Sequence, residues 1–278
     1  MIPPIASKFV AGESPAEAIE HTRDLNDRNV KAILNLLGEH YHERAPADED
    51  AEAYLRLVDD IESADAEACI SVKPSQVGLD VGTEVFHENV ERIADYAADR
   101  GVFVWIDMED HDTTDVTLDI FEKVARKHEG GVGLCVQSNL KRTGDDLERL
   151  ADLPGKIRLV KGAYDPPAEV ALTEKSKVNA AYKRHLEYMF EHFEGGIAVG
   201  SHDPEMIEYA TDLHEEYGTD FEVQMLMGVR EDAQYDLAEE YEVWQYVPYG
   251  DKWLSYFYRR AMERKENMLF ALRAVIGR

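Results

Sequence analysis

The sequence predicts an α/β fold, a (β/α)8 barrel of the TIM type. Two observations carry this prediction. Eight short apolar runs, many of them β-branched, recur along a chain of 278 residues, and the segments between them have the 3.6-residue period of amphipathic helices. Strands that alternate with helices in this number are typical of the closed parallel barrel. The predicted strands are 31–36, 68–73, 102–107, 132–137, 157–161, 196–200, 221–226 and 243–247.

Helix starts can be placed from capping residues. Asp203 stands before Pro204, and these residue types favour the cap and the first turn of a helix. Thr113 or Thr114, next to Asp115, is a second candidate start. These signals follow predicted strands, as a β-then-α alternation requires.

The whole chain, 1–278, is expected to form one domain, with residues 1–30 as an N-terminal helical extension and its helix at 15–26. An open, doubly wound sheet is the structural alternative. No Gly-x-Gly-x-x-Gly motif follows a predicted strand, which weakens the nucleotide-binding form of that alternative.

The charge excludes nucleic acid as an expected partner. The chain has 57 acidic and 30 basic residues, a net charge of −27, and this repels phosphate backbones and anionic lipid surfaces. We interpret the acidity as adaptation to high salt, where the screening length falls to about 3 Å. The alternative is an ordinary acidic protein with a solvated surface.

Targeting signals and cysteine use bear on the compartment. No apolar stretch reaches the length of a membrane span, the N-terminus lacks a signal pattern, and two cysteines form no disulfide framework. We therefore expect a cytoplasmic enzyme or binding domain. Cys69 and Cys135 lie inside strand runs and are expected to be core thiols.

The acid is unevenly distributed. Residues 252–278 contain seven basic and two acidic residues, a net of +5, so the rest of the chain carries −32. Arg259 and Arg260 are adjacent, and Glu263 lies on the same helix side. Two guanidinium groups suit a carboxylate ligand. We expect this last helix to cover the barrel mouth, the end at which the strands finish, whereas an ordinary eighth helix would pack on the barrel side.

Nearly every predicted strand delivers a polar group to its carboxyl end, where sites of such barrels lie. Each has an alternative interpretation: Asp107 as a helix cap, Lys73 as a solvated loop lysine, His202 as the residue before a cap. A metal site is not expected, since the histidines lack the i, i+4 pair with a third ligand.

Several motifs together resemble the proline dehydrogenase family. They are RLVKGAY at 158–164, QMLMG at 224–228, and YVPYG at 246–250 followed by Trp253, Tyr256 and Arg-Arg-x-x-Glu at 259–263. The resemblance extends from about Lys31 to Ile276, and the length resembles the stand-alone form of the family.

This resemblance implies a distorted barrel that uses FAD to oxidise L-proline to 1-pyrroline-5-carboxylate and passes electrons to a quinone. It also implies residue roles. Asp107 and Arg158 would be catalytic, and Lys73, Leu226, Tyr246, Arg259 and Arg260 would bind the substrate. The FAD-contacting positions would be Met108, Gln137, Arg158, Lys161, Gly162, Ala163, Ser201, His202 and Glu263, with Ser201 standing where the family more often has threonine.

Two rival functions stay open at this point. One is a barrel lyase that uses Lys161 as a Schiff-base amine, and the other is a non-catalytic barrel that binds an amino acid. For the flavoenzyme, a quinone acceptor leaves open a peripheral contact with the inner face of the cell membrane. The pattern indicates no particular oligomeric state.

Overall fold

In the computed structural model, the chain forms a closed barrel of eight parallel strands, in which each strand pairs with the next and β8 pairs with β1. The structure describes residues 2, 6–163, 166–254 and 256–257. The predicted fold class is confirmed. The elements are α1 (Pro15–Asn26), β1 (Val30–Leu36), α2 (Arg44–Ala64), β2 (Ala68–Val72), α3 (Thr83–Ala98), β3 (Val104–Ile106), a 3-10 turn (His111–Thr113), α4 (Thr114–His128), β4 (Val132–Gln137), α5 (Thr143–Leu150), β5 (Lys156–Val160), α6 (Lys175–His192), β6 (Ile197–Gly200), α7 (Pro204–Tyr217), β7 (Phe221–Leu226), α8 (Glu231–Leu237) and β8 (Glu242–Tyr249).

The N-terminal helix α1 completes the outer ring of helices. It packs against the outside of β1 and β8, and His21 Nε2 lies 2.8 Å from Gln245 Oε1 on β8. Ser14 and Glu17 form a capping box at its start, which satisfies backbone N–H groups that have no partner within the helix. The helix predicted at 15–26 is confirmed, and it fills the place on the barrel side that a helix after β8 would otherwise take.

Six of the eight predicted strands agree with the structure to within one residue at each end, and β3 and β8 differ by more. Residues 102–103 precede β3, because pairing with both neighbours begins at Val104. Strand β8 continues past 247 to Tyr249, since β1 stays paired with it as far as Leu36. Pro248 has no N–H to donate, but its carbonyl accepts from Ala11 N at 2.9 Å.

The predicted helix starts are found at the expected places. Asp203 caps α7 by accepting a hydrogen bond from Glu205 N at 3.2 Å. Thr113 precedes α4, but its hydroxyl donates back to Asp110 O at 2.8 Å and does not cap the helix.

The chain after β8 begins at the rim of the barrel mouth. The chain turns at Gly250, whose φ of +128° is a backbone conformation that residues other than glycine rarely adopt. Tyr256 then packs with Phe9, Val10 and Leu37, and Leu37 follows directly after β1. The predicted lid, with Arg259, Arg260 and Glu263, lies outside the described residues. Within the described part of the chain, no helix has the length and apolar character needed to cross a bilayer.

Candidate active site

The carboxylate of Asp107 is the centre of a hydrogen-bonded cluster at the mouth. Asp107 follows β3, and its Oδ1 accepts from Ser71 Oγ at 2.8 Å and from the Arg158 guanidinium. Its Oδ2 accepts from the Tyr246 hydroxyl at 2.8 Å and from Lys73 Nζ at 3.3 Å. The structure therefore brings together four of the predicted site residues, and Ser71 is an additional member that the sequence analysis missed.

This Asp107 cluster is buried and carries an excess of positive charge. Asp107 is 8% exposed and Arg158 is 4% exposed. Burial alone would raise the pKa of Asp107, but Lys73, Arg158 and the hydrogen bonds from Tyr246 and Ser71 outweigh it and hold the pKa below its usual range. Burial, together with the Asp107 carboxylate, raises the pKa of Tyr246 well above its usual range, so the phenol keeps its proton.

The Arg158 side chain is fixed by contacts with side chains from other strands, across the interior of the barrel. Its guanidinium donates to Gln224 Oε1 at 3.0 Å and lies 4.9 Å from the centre of the Trp105 ring. These residues belong to β5, β7 and β3, which are not neighbours in the barrel, so their side chains meet inside it. A cation over an aromatic face is attracted by the ring, which adds to its fixed position.

A second charged pair lies deeper in the interior. Glu222 Oε1 accepts from Gln224 Nε2 at 2.6 Å, and Glu222 Oε2 accepts from Lys156 Nζ. Glu222 and Lys156 were not predicted from the sequence. The available signal was the alternation of polar and apolar residues, with polar ones at 156 and 158 in β5 and at 222 and 224 in β7, because alternate residues of a strand point to opposite faces.

The β4 and β5 ends form another part of the mouth. Gln137 Nε2 donates to Glu109 O at 2.7 Å, and Gln137 Oε1 accepts from Ala163 N at 3.4 Å. Gly162 has φ +118°, in the left-handed region that favours glycine. Met108 is buried, and it directly precedes Glu109, whose carbonyl oxygen accepts the hydrogen bond from Gln137. The predicted residues 108, 137, 162 and 163 thus lie near one another at this side of the mouth.

The β6 and β7 ends bring together three further predicted residues. Leu226 N donates to His202 Nε2 at 3.4 Å, which requires the other ring nitrogen to carry the proton when the ring is neutral. Arg230 donates to His202 O at 2.6 Å, and Ser201 Oγ accepts from Asp203 N at 3.1 Å. Backbone contacts of this kind fix the loop after β6.

Lys161 is directed to a different neighbourhood. Its Nζ donates to Asp203 Oδ2 at 2.6 Å and to Asn179 Oδ1 at 2.7 Å. These partners lie near the starts of α6 and α7, so Lys161 links the loop after β5 to these two helices. An ion-paired amine is a poor nucleophile, because attack on a carbonyl needs the unprotonated form.

The remaining sequence hypotheses concern thiols and metals. Cys69 and Cys135 are both buried and free, as predicted for core thiols. Across the described ranges, no group of three or more His, Cys, Asp or Glu side chains is placed to hold a metal ion. A cavity of about 250 Å³ opens beside Gln137, and its lining includes Glu109, Asp110 and Asp112.

Comparison with known proteins assigns the chain to a family. The family model described as proline dehydrogenase matches residues 18–273. The chain belongs to the proline dehydrogenase family. It is 34% identical over 276 residues to proline dehydrogenase 2 of Bacillus subtilis strain 168, covering 97% of this chain and 90% of that protein. It is 36% identical over 282 residues to the proline dehydrogenase of Deinococcus radiodurans, covering 98% and 90%.

Solved structures show the same fold. Proline utilization A from Bdellovibrio bacteriovorus superposes with a TM-score of 0.85 at 22% identity, over 92% of this chain and 32% of that one. The protein of that name from Corynebacterium freiburgense gives 0.79 at 22% identity, over 95% and 31%. The chain therefore spans about a third of the length of these two structures, in the part that forms the barrel.

Proposed function

We propose that this protein oxidises L-proline to 1-pyrroline-5-carboxylate with bound FAD, the first step of proline catabolism, and passes the electrons to a quinone. The observation that carries the proposal is the buried Asp107 cluster at the mouth of a barrel from the proline dehydrogenase family. Its cations suit a carboxylate substrate, and its position at the strand ends is that of a barrel active site.

The polar groups around the mouth fit a flavin. Gln137 and Arg158 offer an amide and a cation, and the chain from 161 to 163 runs along the same rim. Among the described residues, the buried Asn139 Oδ1 has no hydrogen-bond partner, and such an acceptor could be satisfied by a bound ligand. The proposed FAD contacts are Met108, Gln137, Arg158, Lys161, Gly162, Ala163, Ser201, His202 and Glu263.

The flavin would supply the oxidising chemistry, since it accepts a hydride from the ring CH₂ next to the proline nitrogen. The protein binds and orients the substrate. Lys73, with Arg259 and Arg260, holds the proline carboxylate by charge-assisted hydrogen bonds. Because the carboxylate is fixed at one end, the ring carbon at the other end is presented in one orientation only.

Asp107 and its partners prepare this binding position. The carboxylate orients Lys73 and Tyr246 from one side, while Arg158 balances its charge. The Tyr246 ring and the Leu226 side chain form the walls against which the proline ring packs. The substrate amine must be neutral to release a hydride, so turnover rises toward mildly alkaline pH.

The two rivals fit the geometry less well. A Schiff-base lyase needs a free amine near the substrate, but Lys161 is paired with Asp203 and Asn179. A barrel that only binds an amino acid gives no role to Arg158, whose guanidinium is buried inside the barrel at a cost in solvation.

The identity of the electron acceptor affects where in the cell the protein acts. A quinone lies in a membrane, so we propose a cytoplasmic protein that contacts the inner face of the cell membrane peripherally. The net charge of −27 opposes approach to anionic lipids in dilute buffer, and salt weakens this repulsion.

The flavin spectrum tests the proposal. Purified protein supplied with FAD should be yellow, and L-proline should bleach it in the absence of oxygen. Asp107→Asn is the matched variant, since it keeps the side-chain size and removes the charge that orients Lys73. It should retain FAD and bleach much more slowly. N-propargylglycine, the compound used to inactivate the Bdellovibrio protein, should inactivate this one. A colourless protein, or a yellow one unaffected by proline, would refute the proposed function.

A further inference from the structure

The interior of the barrel beneath the site holds a charged pair that no step of the proposed reaction uses. The side chain of Glu222 is 4% exposed, and that of its partner Lys156 is 35% exposed at the amino-terminal end of the strands. Barrel interiors are usually filled by Val, Ile and Leu. A buried ion pair gives little net stability over apolar residues of similar size. Stability therefore does not explain why the pair is here.

The pair is connected to the site by hydrogen bonds. Glu222 accepts from Lys156 on one oxygen and from Gln224 Nε2 on the other, at 2.6 Å for Gln224. Gln224 Oε1 then accepts from Arg158 at 3.0 Å. Along β7, the step from 222 to 224 covers about 6.6 Å, so the connection runs from the middle of the barrel to the Asp107 cluster.

The direction of these bonds depends on the charge of Glu222. A side-chain amide can be turned either way, and only one orientation directs its oxygen to a guanidinium. An ionised carboxylate accepts hydrogen bonds and cannot donate them. It therefore requires the NH₂ group of Gln224 and leaves the oxygen for Arg158. Burial raises the pKa of Glu222, and the Lys156 amine opposes that rise.

We propose that Glu222 is a positioning residue for Arg158, acting through the fixed orientation of the Gln224 amide. Lys156 supports it by keeping the carboxylate ionised. Arg158 is thereby held against Asp107 in the place that the reaction needs. The expected effect on turnover rests on the proposed function, whereas the orientation of the amide does not.

Glu222→Gln tests the proposal, with Glu242→Gln as its matched control. Glu242 lies opposite Glu222 in the register of β7 and β8 and bonds instead to Lys31 at 3.3 Å and Trp244 at 2.7 Å. Glu222→Gln should lower kcat about tenfold, as expected for a weakened hydrogen bond to a charged group. KM for proline and FAD content should stay within about twofold, and the control should change neither constant.

A second readout needs neither flavin nor substrate. In ¹⁵N-labelled protein without FAD, the Gln224 side-chain NH₂ signal is identified by its absence in Gln224→Glu. Its bond to a carboxylate should shift this signal and slow its hydrogen exchange, and Glu222→Gln should remove both effects while Glu242→Gln keeps them. Were the wild type unable to oxidise proline, the proposed function would fail, and this signal would still decide the inference. An unchanged Gln224 signal in Glu222→Gln, or a lower melting temperature with an unchanged kcat per bound flavin, would overturn it.

Discussion

Replacing Asp107 by asparagine should destabilise the fold as well as slow the reaction. The Asp107 side chain is 11% exposed and lies between Lys73 and Arg158, whose side chains are 16% and 5% exposed. Removing it leaves two cations without their buried counter-charge. Breaking a buried ion pair from one side costs about 3–5 kcal/mol. For a domain of this size that corresponds to a fall in melting temperature of roughly 5–9 °C.

The assay is thermal unfolding of the wild type, Asp107→Asn and Glu242→Gln. Glu242 pairs with Lys31, and their side chains are 40% and 30% exposed, so its loss should cost less than about 1 kcal/mol. If Asp107→Asn melted within about a degree of Glu242→Gln, Asp107 would not be the buried counter-charge that Lys73 and Arg158 depend on.

The melting temperatures of the wild type and Asp107→Asn can also be compared as a function of pH. Because the pKa of Asp107 is lowered in the folded state, the stability that its charge contributes is present above the pKa of the unfolded chain. It is lost as the pH falls through the lower folded value. The difference in melting temperature between the wild type and Asp107→Asn should therefore narrow below about pH 4, the ordinary pKa of an aspartate in an unfolded chain. A difference that widens on acidification would contradict the charged role.

Three further outcomes are expected. Arg259→Met or Arg260→Met should raise KM for proline about 10- to 150-fold, from the loss of about 1.5–3 kcal/mol, with FAD content nearly intact; wild-type KM in both would exclude their carboxylate role. Lys161→Met should weaken FAD retention but keep proline-dependent bleaching in excess FAD, whereas complete loss of turnover there would favour the lyase. Because the net charge is −27, the melting temperature should rise between dilute buffer and molar KCl, and a flat or falling value would exclude adaptation to salt.

The barrel was predictable because each strand has a local signal in the sequence. Every predicted run overlaps an observed strand, since apolar β-branched residues in short runs suit a buried parallel strand. The boundaries were less predictable where they depend on partners. Val102 and Phe103 have strand composition but precede the pairing of β3, while Pro248 stays in β8 because its partner strand continues.

The site was predictable to the extent that its residues follow strands. Asp107 and Lys73 come directly after β3 and β2, so the rule that sites lie at strand ends finds them. Ser71 and Glu222 lie inside strands, and their partners Asp107 and Lys156 are 36 and 66 residues away in the sequence. Which way a polar side chain within an apolar run points depends on the closure of the barrel, and no local pattern of period two distinguishes an inward position from an outward one.

The position of α1 has a consequence for how the chain folds. The barrel closes only when β1 meets β8, and His21 bonds to a residue 224 positions later. Bringing such distant segments together has a large cost in loop-closure entropy, and contacts of this kind slow folding. We therefore expect β1 and β8 to pair late in folding, because every other strand pair joins strands that are consecutive in the chain. During synthesis on the ribosome, the part of α1 that packs on β8 would stay uncovered until this last strand emerges.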